Sequence, residues 1–299
     1  MIRRQLGRSG LKVSNIGLGT RAWDQHMSVE TVRDIVAGFL GAGGTLIDAS
    51  LSTNSGAAVR LLGAVLSDFP RDEIVLSASA GVRPEAPLGA RVDCSRKSLI
   101  AAIDRTLQEL STDCLDIFSV EYWDEHTPPE EVKDTLDLIV RSGKAHYAGV
   151  RDYSGWQLAV SYSPWVSVAQ SEYNLLDRTA EQELLPASQH LGVGFIASSS
   201  LAQGILTGKY RDGSAPVDAA IHTRLDERSA RIVDALGTAA AGLGISPATA
   251  ALAWTQARPG VSSALVSITE PGQLADILPA ATSSLPAAIV AALDDISAL

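Results

Sequence analysis

The chain has 299 residues, 24 of them basic and 34 acidic, for a net charge of −10. That balance argues against a nucleic-acid groove and against an anionic membrane surface. The hydrophobic share of 46% and charged share of 19% are those of a globular chain, which excludes disordered, collagen-like and coiled-coil readings.

Two cysteines, Cys94 and Cys114, exclude a disulfide framework and a four-cysteine zinc site. They read as ordinary thiols, and no metal site is expected. The first residues lack the apolar core of a signal peptide, and no 18-residue apolar run is present, so a soluble cytoplasmic protein is expected. Lysine is scarce: only Lys12, Lys97, Lys133, Lys144 and Lys209.

In chain order, Arg4–Leu6 and Lys12–Ser14 flank the turn Gly7-Arg8-Ser9-Gly10, a hairpin signal. Eight apolar runs then read as strands: 15–20, 45–50, 73–79, 115–122, 146–152, 166–173, 192–199 and 262–269. They are rich in Val, Ile and Leu and alternate little with polar residues, as parallel strands covered on both sides do. Amphipathic stretches separate them. Val29–Ala42 places Val32, Ile35, Val36 and Phe39 on one stripe, and Ser95 caps a helix running to Leu110. Asp226–Leu243, Pro247–Ala257 behind Ser246, and Pro286–Leu299 complete the helical set. Eight strand–helix units imply an α/β fold, a closed (β/α)8 TIM barrel filling residues 1–299 as one domain, with the hairpin capping its bottom. Arg83–Asp93 and Gly213–Val217 read as surface loops, the first a candidate lid.

In such barrels the active site lies where the strands end. Charged residues close several of these apolar strands: Asp48, Glu121, Arg151, Asp152 and Glu172. A buried ion needs a partner, so they form either a structural ring of ion pairs or a catalytic site. Two close carboxylates, Asp48 and Glu121, would push each other's pKa values apart and so divide acid and base roles. His126 in the loop after the fourth strand is a weaker candidate. Trp23, Tyr122 and Trp123 are candidate pocket walls.

Long stretches carry a resemblance. RQLGRSGLKVSNIGLGT (4–20), AGGTLIDAS (42–50), STDCLDIF (111–118), RSGKAHYAGV (141–150), SEYNLLDR (171–178) and LAQGILTGKY (201–210) occur in the order of the aldo-keto reductases, which this chain resembles over essentially its whole length. The resemblance implies a (β/α)8 barrel that binds NADPH without a Rossmann domain. It also implies carbonyl reduction by an Asp, Tyr, Lys, His tetrad. Carried over position by position, the tetrad falls on Asp48, Thr53, Ser79 and Glu121. An aliphatic hydroxyl cannot stand in for a phenol of pKa about 10. In the implied cofactor site, the carboxamide pair falls on Arg151 and Asp152, beside a retained Gln170. The stacking ring falls on Ser198, the pyrophosphate loop on Leu201 through Gly204 to Lys209, and the 2′-phosphate end on Thr269, Glu270 and a retained Gln273.

Three functions follow from this pattern. One is a barrel enzyme acting on a small organic molecule, repurposed for non-redox proton transfer (isomerisation, dehydration or cyclisation) by Asp48 and Glu121 with Thr53 and Ser79 as donors. The second is an atypical NADPH-dependent oxidoreductase. The third is a non-catalytic binding or regulatory barrel, since some relatives serve as channel subunits.

Overall fold

The computed structural model describes residues 1–211 and 219–298. A short antiparallel hairpin comes first: β1 (Arg3–Gln5) pairs with β2 (Lys12–Ser14). Eight parallel strands follow and close on themselves: β3 (Ile16–Gly19), β4 (Leu46–Ser50), β5 (Val75–Ala80), β6 (Leu115–Val120), β7 (Ala145–Arg151), β8 (Val166–Glu172), β9 (Gly194–Ser198) and β10 (Val261–Ser267), with β10 pairing β3. All eight apolar runs are therefore strands, and the (β/α)8 reading holds.

Helices cover the outside: α1 (Val29–Gly41), α2 (Ala57–Leu66), α3 (Arg96–Leu110), α4 (Pro129–Arg141), α5 (Gly155–Ser161), α6 (Leu184–Leu191), α7 (Ala219–His222), α8 (Glu227–Leu243), α9 (Pro247–Gln256), α10 (Leu274–Ile277) and α11 (Ala287–Ile296). Ser95 and Ser246 cap their helices as expected, and Ser28 and Asp226 do the same for two more, each accepting a hydrogen bond from a first-turn backbone N–H. The stripe on α1 is buried as expected at Val32, Ile35, Val36 and Phe39. The last helix stops at Ile296, short of the expected end, and the 213–217 loop lies outside the described residues. Among the described residues no single helix is long and apolar enough to cross a membrane.

The barrel interior has two tiers, because inward positions alternate along each strand. The lower tier is apolar: Leu46, Val75, Ile117, Val168, Ile196 and Leu265 meet Leu6 and Val13 of the hairpin. Leu6 is fully buried, so the hairpin plugs the bottom as expected. Two positions further along the same strands the tier turns polar, with Asp48, Ser77, Ser119 and Gln170 all buried. Gly149 admits this layer: a Cβ there would lie 2.5 Å from Ser119 Oγ and 2.9 Å from Val168 Cβ.

The loop after β6 is fixed by Asp124, a buried carboxylate. It accepts from the backbone N–H of Cys94 (2.9 Å), the backbone N–H of His126 (2.9 Å) and the Thr127 hydroxyl (2.7 Å). Burial alone would raise its pKa, but these donors outweigh it and hold the carboxyl below its ordinary value.

Two predictions follow from this architecture. Leu6→Ala should cost about 2–5 kcal/mol, through lost burial and the cavity left under the plug, measured by urea denaturation. A cost near zero would mean that the hairpin does not seal the barrel. Because the folded pKa of Asp124 is depressed, its contribution is present above about pH 4 and fades as the pH falls below that value. The urea midpoint of Asp124→Asn should therefore vary less with pH over that acid limb than that of the parent; an equal slope would remove Asp124 from the account.

Candidate active site

The polar tier and the strand ends meet at the top of the barrel. Parallel register places Asp48 beside Ser77, Ser50 beside Ser79, and Arg151 beside Gln170. Asp48 and Glu121 are both 6% exposed, and Ser79 is 1% exposed. Such burial leaves a carboxylate dependent on what surrounds it.

The two carboxylates are held differently. Asp48 is used on both oxygens: Oδ1 accepts from the Ser77 hydroxyl (2.8 Å), while Oδ2 meets Gln170 Nε2 (3.4 Å) and Arg151 Nη2 (3.4 Å). Glu121 receives three hydroxyls on one oxygen. Ser50, Ser52 (2.9 Å) and Ser79 (2.9 Å) all donate to Oε1. Its Oε2 has no hydrogen-bond partner among the described residues.

Arg151 connects the two halves. Nη2 pairs with Asp48, and Nη1 donates to Ser79 Oγ, which in turn donates to Glu121. Burial would strip the guanidinium of its charge, but Asp48, Glu121 and Asp152 hold its pKa above the ordinary value. The sequence reading had Asp48 and Glu121 dividing roles by mutual repulsion. In the structure a cation stands between them, and their partners distinguish them instead.

The other expected residues scatter around the rim. Thr53 opens the short helical turn Thr53–Gly56, half-buried, and its hydroxyl has no hydrogen-bond partner among the described residues. It is Ser52, one residue earlier, that reaches Glu121. Asp152 takes a left-handed backbone (φ 52°), and its carboxylate accepts from Ser171 (3.1 Å). Glu172 pairs with Arg224 (2.7 Å). Ser198 ends β9, half-buried.

Beyond β9, Leu201 leads into the turn Ala202–Thr207, where Ala202, Gln203 and Gly204 all have positive φ. Gly204 suits this turn because its φ of 90° is a backbone conformation that residues with a Cβ rarely adopt. Gln273 is used locally: Oε1 accepts from the Thr269 backbone N–H (3.0 Å), and Nε2 reaches Thr269 Oγ1 (3.4 Å). Glu270 is exposed beside them.

Two aromatic expectations separate. Tyr122 stands 43% exposed at the rim, with Trp123 packed edge-on against Tyr153 (5.6 Å between ring centres) and Trp156 (5.0 Å). Trp23 is not a wall. It is fully buried and donates from Nε1 to the Ile268 carbonyl (2.7 Å), pinning the loops after β3 and β10 together. His126 is exposed, and its hydrogen bond to Asp124 comes from its backbone N–H. The expected set lacked Ser50, Ser52 and Ser77. For Ser77 the spacing carried the signal, since Ser77 and Ser79 sit two apart in one strand and so share a face, whereas Ser52 lies in the turn past the strand end.

Comparison with known proteins agrees with this architecture. The Aldo/keto reductase family model matches residues 15–298. The L-glyceraldehyde 3-phosphate reductase of Escherichia coli (strain K12) is 33% identical, over 91% of this chain and 85% of the relative. The uncharacterized oxidoreductase YrpG of Bacillus subtilis (strain 168) is 29% identical, over 97% and 94%. A probable voltage-gated potassium channel subunit beta of Oryza sativa subsp. japonica is 30% identical, over 91% and 89%. A barrel with a polar constellation at its strand ends, matched by the family model over nearly its whole length, belongs to the aldo/keto reductase family.

Proposed function

We propose that this chain is a barrel enzyme that moves a proton on a small, uncharged, enolisable carbonyl compound, without hydride transfer. One observation carries the reading. Glu121 gathers three hydroxyls on Oε1 and leaves Oε2 unengaged, while a charged Arg151 is fixed two hydrogen bonds away through Ser79.

In this reading Glu121 Oε2 takes a proton from the carbon next to the carbonyl. Negative charge then grows on the carbonyl oxygen, and remaining N–H groups of Arg151 stabilise it. Ser50, Ser52 and Ser79 fix the carboxylate so that one oxygen faces the substrate. Asp48, engaged on both oxygens, anchors Arg151 and takes no proton. Return of the proton to the former carbonyl carbon, with the neighbouring hydroxyl's proton passing to the former carbonyl oxygen, completes the isomerisation of a hydroxyketone. Thr53 and Tyr122 border the mouth as contact residues.

NADPH fits this site poorly. Gln170 turns its amide to Asp48, and Gln273 turns both its ends to Thr269. Ser198 offers no ring to stack on, and Glu270 places a carboxylate where the resemblance puts a phosphate. Arg151 and Asp152 are held by Asp48, Ser79 and Ser171. The competing reading, a reductase, is favoured by the names of relatives and by the 201–209 loop with its run of left-handed residues.

Proton exchange at carbon separates these readings. In heavy water, enolisable hydroxyketones should lose their α-proton NMR signal faster with the protein present. Glu121→Gln should reduce that catalysis by about a hundredfold or more while the melting temperature holds. Full exchange activity in that variant would remove Glu121 from the mechanism. NADPH titrated by fluorescence up to about millimolar should show no saturable binding, against an affinity near −4 kcal/mol for even a weak site. Tight binding with hydride transfer to a carbonyl would establish the reductase instead.

A further inference from the structure

We propose that the closed end of the barrel carries a second binding site, for a small aromatic molecule bearing an anionic group. This site lies at the opposite end of the strands from Glu121 and does not depend on the reading given to the barrel top.

Two grooves meet beneath the barrel. One, of about 630 Å³, runs past Tyr147, Tyr162 and Trp165, and the other, of about 360 Å³, runs past Arg4 and the turns around Gly194 and Gly260. Arg8 and Gly192 line both. Volumes of this size suit a small organic ligand.

The junction is built by the hairpin. The Gly7-Arg8 turn docks on the loop before β9 through a hydrogen bond from the Arg8 backbone N–H to the Gly192 carbonyl (2.8 Å). Gly192 has φ 72°, and a Cβ there would lie 2.3 Å from Arg8 Cδ. The absence of a side chain at 192 therefore lets Arg8 lie flat across the floor where the two grooves join.

The charge at this end is unbalanced. About half of the arginines find a carboxylate, as Arg33, Arg71, Arg83, Arg178, Arg224 and Arg258 do. Arg4 and Arg8 have no carboxylate partner among the described residues. Arg4 is held in place by donating to the backbone carbonyls of Gln256 and Val261. The carboxylate in the groove, Asp116, is engaged by Arg71 (2.8 Å) and by the Leu76 backbone N–H (2.9 Å). Trp165 is 38% exposed, and Tyr147 and Tyr162 are half-buried beside it. Rings flank one side and unpaired guanidinium the other, which is the complement of an aromatic anion.

The test is calorimetric titration with 2-naphthoate. Saturable binding is expected, with 2-naphthamide (neutral) and acetate (no ring) each weaker by about tenfold or more, since each loses one of the two interactions. Arg8→Ala and Trp165→Leu, both at exposed positions, should each weaken naphthoate by about tenfold. Glu121→Gln should leave it unchanged, which places the ligand away from the barrel top. The proposal is overturned if naphthoate shows no saturable binding up to about ten millimolar, a range that includes very weak sites. It is equally overturned if the two groove variants bind normally with unchanged melting temperatures, or if Glu121→Gln abolishes binding.

Discussion

Everything at the barrel top depends on the guanidinium of Arg151. Asp48 and Glu121 are both nearly buried, and two such carboxylates in one small space would repel each other at low effective dielectric. Arg151 is the cation between them, bound to Asp48 directly and to Glu121 through Ser79. The group comes from the fifth barrel strand, while the carboxylates come from the second and fourth. Closure of the sheet is therefore what brings the charge to its partners. Removing Arg151 would leave two nearly buried carboxylates without a cation, whereas removing Glu121 leaves the Arg151–Asp48 pair intact.

Much of this was legible in the sequence, and the reasons are physical. Eight apolar runs with helical spacers point to a parallel sheet covered on both faces, and eight is the count at which such a sheet closes into this barrel. Cap residues such as Ser95 and Ser246 marked helix starts because their short side chains satisfy free backbone donors. The hairpin followed from its turn. Charged residues closing apolar strands marked the site's place. What the sequence did not carry was partnership. Asp48 and Glu121 looked equivalent in the chain. Only the fold shows one carboxylate engaged on both oxygens and the other on one. Trp23 looked like a pocket wall because it follows a strand end, yet its ring turns inward and pins two loops. Ser52, not Thr53, meets Glu121 because the chain has already entered a helical turn at Thr53.

The two-tier interior explains how one scaffold accommodates so polar a mouth. The lower tier, sealed by Leu6 and Val13, supplies apolar burial that owes nothing to the upper residues. The upper tier is lined by serines and an amide that hydrogen-bond the ions rather than pack against each other. Stability and chemistry thus occupy different heights along the same strands, as is general in this architecture. Change at the upper tier costs the fold little as long as each ion keeps a partner.

The two ends of the barrel also differ in the charge they accept. At the top, Asp48, Glu121, Asp152 and Glu172 surround the mouth, and the guanidinium groups of Arg151 and Arg224 are already engaged by Asp48 and Glu172. Arg21 adds positive charge beside Asp152 and Tyr122, yet carboxylates still outnumber guanidinium groups around the mouth, which suits the uncharged substrate proposed above better than a full anion. At the bottom the order reverses, because Arg4 and Arg8 face a groove whose carboxylate, Asp116, is engaged by Arg71. If the proposed aromatic anion binds at the closed end, Arg4 and Arg8 are the groups that offset its charge, so the two ends would select ligands of different charge.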